Sequence, residues 1–254
     1  MALSDMSNLL SSGTGFIYRK DGKHFLITNW HNVSGINPVT GKKLFSDGRI
    51  PDRISTEFRE KGKPSATWRE ELLLYEDSTM SQPQWLEHPE FSHKVDVVAL
   101  PIEEEISSRY QLYPINIIPF DNKFKEMVAD DAFIIGFPFP DLTYLAMPIW
   151  KKASIATEPD IDLDQTPKML VDTATRSGLS GSPVIMQRIG IHGMTSEKLT
   201  GTETIGRVRN FIGIYSGRRG EDEEKAQLGI VWKARVIDEI VAGNKKGKAP
   251  ISAS

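Results

Sequence analysis

Ser177-Gly178-Leu179-Ser180-Gly181-Ser182-Pro183 is the most informative segment of this chain. Gly181 follows Ser180 directly and Gly178 stands two residues before it, which leaves the Ser180 hydroxyl uncrowded. Gly178 and Gly181 allow the backbone to turn sharply, so that N–H groups can point at one spot. Such a loop suits a nucleophilic serine beside a pocket that stabilises an oxyanion. A simple Gly/Ser turn has the same composition, so the functional interpretation depends on a base and an acid elsewhere in the chain.

Among the five histidines, His31 has the context that favours a catalytic base. It follows the apolar segment 25–28, and a strand that delivers a histidine at its end holds the ring on a rigid element. Asp96 interrupts the apolar run 95–100, so its carboxylate is expected to be partly buried and to need a partner. An imidazolium is the partner that suits catalysis, because the carboxylate then fixes the tautomer of the histidine. The alternative is an aspartate that faces solvent from an edge strand.

Short apolar and β-branched segments, separated by glycine and proline, predict an all-β fold with around a dozen strands. Asp21-Gly22 predicts a hairpin between the first two of these strands. Few helical patterns stand between the strands, so one or two closed barrels are expected rather than a parallel sheet. One helix is expected near the end, where residues 236–241 place apolar side chains on one face and Gly243 ends it.

The chain divides into two expected halves. An N-terminal barrel over residues 12–115 would carry the candidate base and acid, and a C-terminal barrel over 120–242 would carry the candidate nucleophile. The prolines within 114–122 mark the linker between them. The polar residues 243–254 predict a disordered tail.

The chain has 254 residues, a formal net charge of −3 at pH 7 and no cysteine. This charge balance gives no strongly basic face, so nucleic acid is not an expected partner. Disulfides, cysteine zinc sites and thiol catalysis are excluded by the composition. No apolar run reaches the length of a membrane span, and residues 1–12 lack the features of an export signal. We therefore expect a cytoplasmic protein with no membrane partner, no metal and no cofactor.

Three blocks in a fixed order carry a family resemblance: Thr28-Asn29-Trp30-His31, Asp96-Val97-Val98-Ala99-Leu100 and Gly178-Leu179-Ser180-Gly181-Ser182-Pro183. They resemble the signature blocks of trypsin-like (chymotrypsin-fold) serine proteases, most closely the simpler bacterial and HtrA-type branch. Gly13-Thr14-Gly15-Phe16-Ile17 is similar to the first strand of that branch. The resemblance spans roughly residues 12–241 and implies two six-stranded antiparallel Greek-key β-barrels followed by a C-terminal helix.

An α/β-hydrolase is the competing serine-hydrolase interpretation. Its serine stands in the motif Gly-x-Ser-x-Gly, but Ser182 occupies the last position of that motif here. That fold also orders its triad as Ser, Asp and His, whereas His31 and Asp96 precede Ser180 in this chain. The order and the scarcity of helices both favour the trypsin-like fold.

The resemblance implies a role for each residue of the triad. Ser180 would attack the scissile carbonyl, His31 would take the serine proton and Asp96 would orient His31. The backbone N–H groups of Gly178 and Ser180 would form the oxyanion hole. The expected reaction is endopeptidase cleavage of protein or peptide substrates through an acyl-enzyme. Unrestrained cleavage in the cytosol would be harmful, so we also expect the activity to be gated, by a disordered oxyanion loop, by a regulatory protein partner or by a narrow substrate range. The alternative is a catalytically silent trypsin-fold module that binds or scaffolds.

The same resemblance implies six substrate-binding residues: Ala174, Thr175, Arg176, Ser216, Gly217 and Gly229. Ala174 would form the base of the specificity pocket and favours small or medium apolar side chains there. The main chain of Ser216 and Gly217 would pair with an extended peptide, and Gly229 would keep the opposite wall open. The arginines at 176, 218 and 219 favour acidic residues near the cleaved bond instead.

Overall fold

The structure, a computed structural model, describes residues 1–5, 8–63, 65–121, 124–138, 147–174, 178–192, 200–201, 203–218 and 227–250. Its strands are β1 (Ala2–Asp5), β2 (Asn8–Ser12), β3 (Phe16–Lys20), β4 (Lys23–Thr28), β5 (Arg53–Glu60), β6 (Thr67–Leu73), β7 (Leu86–Glu87), β8 (Val98–Pro101), β9 (Tyr110–Gln111), β10 (Asp131–Gly136), β11 (Ile149–Ile155), β12 (Lys168–Asp172), β13 (Pro183–His192), β14 (Thr204–Arg218), β15 (Leu228–Lys233) and β16 (Lys245–Lys246). The α-helices are α1 (Trp30–Ser34), α2 (Glu104–Arg109) and α3 (Arg235–Gly243). The all-β class with a C-terminal helix is confirmed.

The N-terminal half consists of two five-stranded antiparallel sheets that share one core. One sheet has the order β2-β1-β5-β6 with β9 also paired to β5, and the other has the order β16-β7-β8-β4-β3. Leu3 and Ile54 of the first sheet pack with Leu26 and Leu100 of the second. The half thus differs from a simple six-stranded ring, because the β1–β2 hairpin and β16 add strands that the sequence pattern did not predict.

The turn between β3 and β4 confirms the predicted hairpin. Asp21 and Gly22 both have positive φ values, 50° and 78°. A two-residue turn with this backbone matches the right-handed twist of the flanking strands, and an Asp-Gly pair supplies it readily.

The C-terminal half is a closed six-stranded barrel, as expected. Its strand order is β10-β11-β12-β15-β14-β13, and every pair is antiparallel. Side chains of β10 alternate between buried and half-buried positions, which is the period that a strand with one face in a core requires. Ile134, Val171 and Val184 are fully buried inside the barrel.

The two halves are joined by a further core in which α3 takes part. Val236, Ile237 and Ile240 on one face of α3 are fully buried, which confirms the helix and its predicted apolar face. They pack in one cluster with Ile27 of β4 and Ile214 of β14. Helix α3 is therefore packed at the interface between the two halves. None of the helices in the described part of the chain is long and apolar enough to cross a membrane.

The segment after α3 corrects the prediction of a disordered tail as far as residue 250. β16 pairs antiparallel with β7, where Lys245 lies opposite Glu87 and Lys246 opposite Leu86. Beyond the strand, the N–H of Gly247 donates to the carbonyl of Trp85 at 2.9 Å. Main-chain bonds to a strand edge need no apolar side chains, so the polar composition gave no signal of this pairing. Residues 251–254 lie outside the described residues.

Candidate active site

His31 lies in the first turn of α1, just after β4. β4 is anchored by buried Phe25, Leu26 and Ile27, and Asn29 in extended conformation connects it to the helix. The N–H of His31 is one of the amides at a helix start that have no partner within the helix. It donates to Oδ1 of Asp96 at 2.9 Å, so the same carboxylate that faces the ring also satisfies the helix start.

Asp96 precedes β8, and its side chain is 3% exposed. Oδ2 lies 2.7 Å from Nδ1 of His31 and accepts the hydroxyl proton of Ser216 at 2.5 Å. Its main-chain carbonyl accepts a bond from the side-chain amide of Asn29 at 2.7 Å. Burying a carboxylate costs free energy unless it is paired and hydrogen-bonded. The main-chain N–H and Nδ1 of His31 and the hydroxyl of Ser216 are the three partners of this carboxylate. The predicted partly buried aspartate next to His31 is therefore what the structure contains.

The loop around Ser180 has the backbone that its glycines permit. Gly178 has φ +87° and Gly181 has φ +86°, both in the region that side chains rarely adopt. A Cβ on Gly181 would lie 2.0 Å from the carbonyl oxygen of Thr14, so only glycine fits there. The N–H of Gly181 donates to the carbonyl of Tyr215 at 2.9 Å, which ties the loop to β14.

Thr14, from the N-terminal half, holds the other side of the Ser180 loop. Its N–H donates to the carbonyl of Ser180 at 2.9 Å, and its hydroxyl donates to the carbonyl of Gly178 at 2.8 Å. The carbonyl of Thr14 in turn accepts the hydroxyl proton of Thr28 at 2.9 Å. Asn32, one residue after His31, donates to the Ser180 carbonyl at 3.4 Å. The Ser180 loop is thus positioned by residues on both sides of the interface.

The hydrogen-bonding groups that catalysis would use on this loop are unpaired among the described residues. Within the described part of the chain, the N–H groups of Gly178 and Ser180 and the hydroxyl of Ser180 have no hydrogen-bond partner. The Ser180 hydroxyl lies beside Gly217, 4.0 Å from the place where a Cβ would be. It makes no hydrogen bond to His31, and such bonds are often long before substrate binds and tighten in the Michaelis complex.

The predicted peptide-pairing residues lie at a bulge in β14. Tyr215 pairs with Val231 and Arg218 pairs with Gly229, so Ser216 and Gly217 lie opposite a single residue of β15. A bulge releases backbone groups from the ladder, and here it also aims the Ser216 hydroxyl at Asp96.

The specificity residues are placed only in part. Ala174 is exposed and follows β12, while Thr175 and Arg176 lie outside the described residues. A Cβ on Gly229 would lie 2.5 Å from the ring of Tyr215. Gly229 therefore makes room for this buried ring, whereas the prediction had it keeping a pocket wall open.

A cavity of about 250 Å³ lies against the His31–Asp96 pair. Ile230, Trp232, Val39 and Leu44 contribute its apolar lining, and Lys94, Lys168 and Arg218 contribute positive charge. Lys168 forms an ion pair with Asp164 at 3.2 Å, while Lys94 is exposed and has no ion pair with a described residue. The space thus combines an apolar wall with a cationic rim.

Three contributions to the site were not found by sequence reasoning: the carbonyl-binding contacts of Thr14, the amide of Asn32 and the hydroxyl of Ser216. Thr14 stands between two glycines in a block that resembles the family's first strand, which was the only signal for it. Asn32 and Ser216 stand among other polar residues of α1 and β14, so their residue type alone gave no signal. A search for partners of a buried aspartate would have pointed to Ser216.

Residues 13–194 match the model of the trypsin-like peptidase domain family. A solved structure that is similar to this chain is the crystal structure of Rv3671c from M. tuberculosis H37Rv, a serine-to-alanine mutant in an inactive form. The two chains are 17% identical with a TM-score of 0.42, and the match covers 91% of this chain and 80% of that chain. No curated protein is significantly similar to this chain in sequence. The family match covers well over half of the sequence, and the chain belongs to the trypsin-like peptidase domain family.

Proposed function

We propose that this protein is a serine endopeptidase that cleaves peptide bonds through an acyl-enzyme, with His31, Asp96 and Ser180 as its triad. The observation that carries the proposal is the buried carboxylate of Asp96, which accepts bonds from the His31 N–H and the Ser216 hydroxyl and lies 2.7 Å from His31 Nδ1. A carboxylate in this position favours the tautomer that has its proton on Nδ1. Nε2 is then left unprotonated and can act as a base.

The chemistry follows from that tautomer. As Ser180 Oγ bonds to the scissile carbonyl carbon, its proton passes to Nε2 of His31, and the imidazolium is stabilised by Asp96. The imidazolium then protonates the leaving amine as the carbon–nitrogen bond breaks. In the second half, water attacks the acyl-enzyme and gives its proton to Nε2, and Ser180 Oγ recovers that proton when it leaves.

The N–H groups of Gly178 and Ser180 would bind the negative oxygen that develops during each attack. Both amides are without a partner among the described residues, and the turn that contains them is held by Thr14. Donors that are already oriented need no reorganisation during the reaction, and losing one typically costs roughly 3 kcal/mol in the transition state.

Peptides and proteins are the substrate class that a trypsin-like peptidase domain implies. The bulge at Ser216 and Gly217 would present main-chain groups to an extended peptide, which is the usual way a protease edge binds its substrate. We also propose a preference for small or medium apolar side chains before the cleaved bond, because Ala174 would form the base of the specificity pocket. A cytoplasmic location, which fits a chain without cysteine, and a regulatory protein partner complete it.

Labelling by a fluorophosphonate probe tests the proposal, because the probe reacts with an activated serine and needs no knowledge of the substrate. We expect the purified protein to be labelled, Ser180→Ala to be unlabelled and Ser182→Ala to be labelled like the wild type. Ser182 is a matched control, since it is a serine of the same loop whose side chain is fully buried. A folded wild-type protein that reacts with no probe, yet binds peptides, would favour the silent binding module instead.

A further inference from the structure

Glu87 is an almost fully buried carboxylate that lies behind the proposed catalytic site. Its side chain is on β7, and the residue is 2% exposed. Oε1 accepts the indole N–H of Trp30 at 3.0 Å and that of Trp85 at 3.2 Å. Trp30 immediately precedes His31 in the chain, so this carboxylate holds the residue next to the proposed base.

The same oxygen has a third donor, which comes from the end of the chain. The N–H of Lys248 donates to Oε1 of Glu87 at 3.2 Å. Three residues earlier, β16 pairs with β7 and places Lys245 opposite Glu87. The backbone of Gly247 lies so close to Trp85 that a Cβ on it would come within 2.3 Å of the indole nitrogen. The segment 245–248 therefore covers Glu87 and completes its set of donors.

Trp30 also contacts the loop that carries Asp96. The centroids of the Trp30 and His93 rings are 5.2 Å apart, and His93 is three residues before Asp96. The indole is 6% exposed and packs in the core of the N-terminal half. One side chain thus supports both the start of α1, which carries His31, and the loop that carries its carboxylate partner.

We propose that the C-terminal segment 245–248 is a positioning element of this site, with Glu87 and Trp30 as the positioning residues through which it acts. The inference rests on the proposed function only for its effect on rate. Without the third donor, the buried charge of Glu87 is less completely satisfied, and an incompletely bonded buried carboxylate is expected to draw in water or shift toward it. Either response moves the indole of Trp30, and with it the ring of His31 relative to Ser180.

The test uses Gly247→Val in the full chain, because its side chain would collide with Trp85 and displace the segment while no proposed catalytic residue is changed. We expect the second-order rate of fluorophosphonate labelling to fall by about tenfold or more, since a misplacement of about 1 Å can cost about a hundredfold. With a peptide substrate, kcat should fall while KM stays within about twofold, because the peptide-pairing bulge is not touched. Lys246→Ala is the matched control: it removes an exposed ion pair with Glu76 and leaves the main-chain pairing in place.

The proton between His31 Nδ1 and Asp96 gives a readout that does not depend on activity. Protons in such short bonds to a carboxylate resonate far downfield in ¹H NMR, and His31→Ala assigns the signal. We expect Gly247→Val to shift or broaden it and Lys246→Ala to leave it unchanged. Glu87→Gln, which keeps the shape and one acceptor oxygen, should shift the signal less and slow labelling less than Gly247→Val.

The outcomes separate this inference from the proposed function. If the wild type is not labelled, the proposed function fails, and the NMR signal alone decides whether segment 245–248 positions His31. If Gly247→Val does not fold, Gly247→Ala decides in its place, because the smaller side chain still places a Cβ too close to Trp85. Folded variants with the wild-type labelling rate and the wild-type downfield signal would overturn the inference.

Discussion

Replacing Asp96 by asparagine is the sharpest test of how the site is built. Oδ1 of Asp96 accepts the main-chain N–H of His31 at 2.9 Å, and Oδ2 lies 2.7 Å from Nδ1 of the ring and takes the Ser216 hydroxyl. Asparagine has one oxygen and one amino group in place of these two oxygens. The main-chain N–H cannot turn away, so the oxygen of the new side chain must face it. The amino group then faces Nδ1 of His31 and forces the ring to carry its proton on Nε2.

The size of the effect follows from that tautomer. With a proton on Nε2, His31 cannot accept the proton of Ser180, and the rate should fall by about 10⁴-fold. This corresponds to about 5 kcal/mol of the activation barrier. The cost to stability is smaller, about 1–3 kcal/mol for an imperfectly matched buried group, against roughly 5–15 kcal/mol for a whole domain. Asp96→Asn should therefore be folded and nearly inactive.

Rates of fluorophosphonate labelling for the wild type, Asp96→Asn and Ser216→Ala measure this directly, with thermal unfolding as the check on folding. Ser216→Ala removes one donor from Asp96 and leaves the contact with Nδ1 of His31 in place. Its rate should stay within about tenfold of the wild type, because only interactions that strengthen in the transition state affect the rate. A rate for Asp96→Asn within about tenfold of the wild type would refute the argument, as would equal losses in both variants.

Three more substitutions have expected outcomes. The Ser182 hydroxyl is buried without a partner among the described residues, so Ser182→Ala should raise the free energy of unfolding by about 1 kcal/mol in a urea titration, and a decrease would contradict this. Burial raises the pKa of Glu239, but hydrogen bonds from His88 and Arg235 outweigh it and hold that pKa below the usual 4.5. The stabilisation is therefore present above about pH 5 and is lost as the pH falls through the lowered pKa, so Glu239→Gln should lower the Tm at pH 7 and progressively less toward pH 3. Lys94→Glu should lower kcat/KM by about twofold to fivefold more for peptides with an acidic residue before the cleaved bond than for neutral ones, and salt should shrink that difference.

The sequence was sufficient to predict the features that depend on the chemistry of single residues. A carboxylate in an apolar run must be paired, and Asp96 is paired with His31 as that argument predicted. Two glycines around a serine permit a tight loop, and both have the positive φ values that only such residues adopt easily. The closed C-terminal barrel followed from short strands and few helices. Each of these features can be recognised from the residue types at the positions that form it.

The features that the sequence did not predict depend on backbone groups or on distant partners. β16 is formed by two lysines whose main chain pairs with the edge of β7, and the side chains of these lysines do not predict a strand. The role of Gly229 is set by the Tyr215 ring, which lies on another strand. Thr14 acts on the Ser180 loop from 166 residues away by main-chain and hydroxyl bonds, and only the folded chain brings the two together.

If Ser180 is the nucleophile, the bonds from Thr14 to the Ser180 loop would make activity depend on the contact between the halves as well as on the barrel that contains the serine. Both carbonyls that Thr14 binds, those of Gly178 and Ser180, belong to the peptide units that surround the proposed oxyanion amides. A small separation of the halves, with every strand still intact, would release these carbonyls and let the loop relax. If the proposed function holds, we expect heating to abolish activity while the circular dichroism is still native. The inactivation temperature would then report the separation of the halves, and the melting temperature would report the unfolding of the strands.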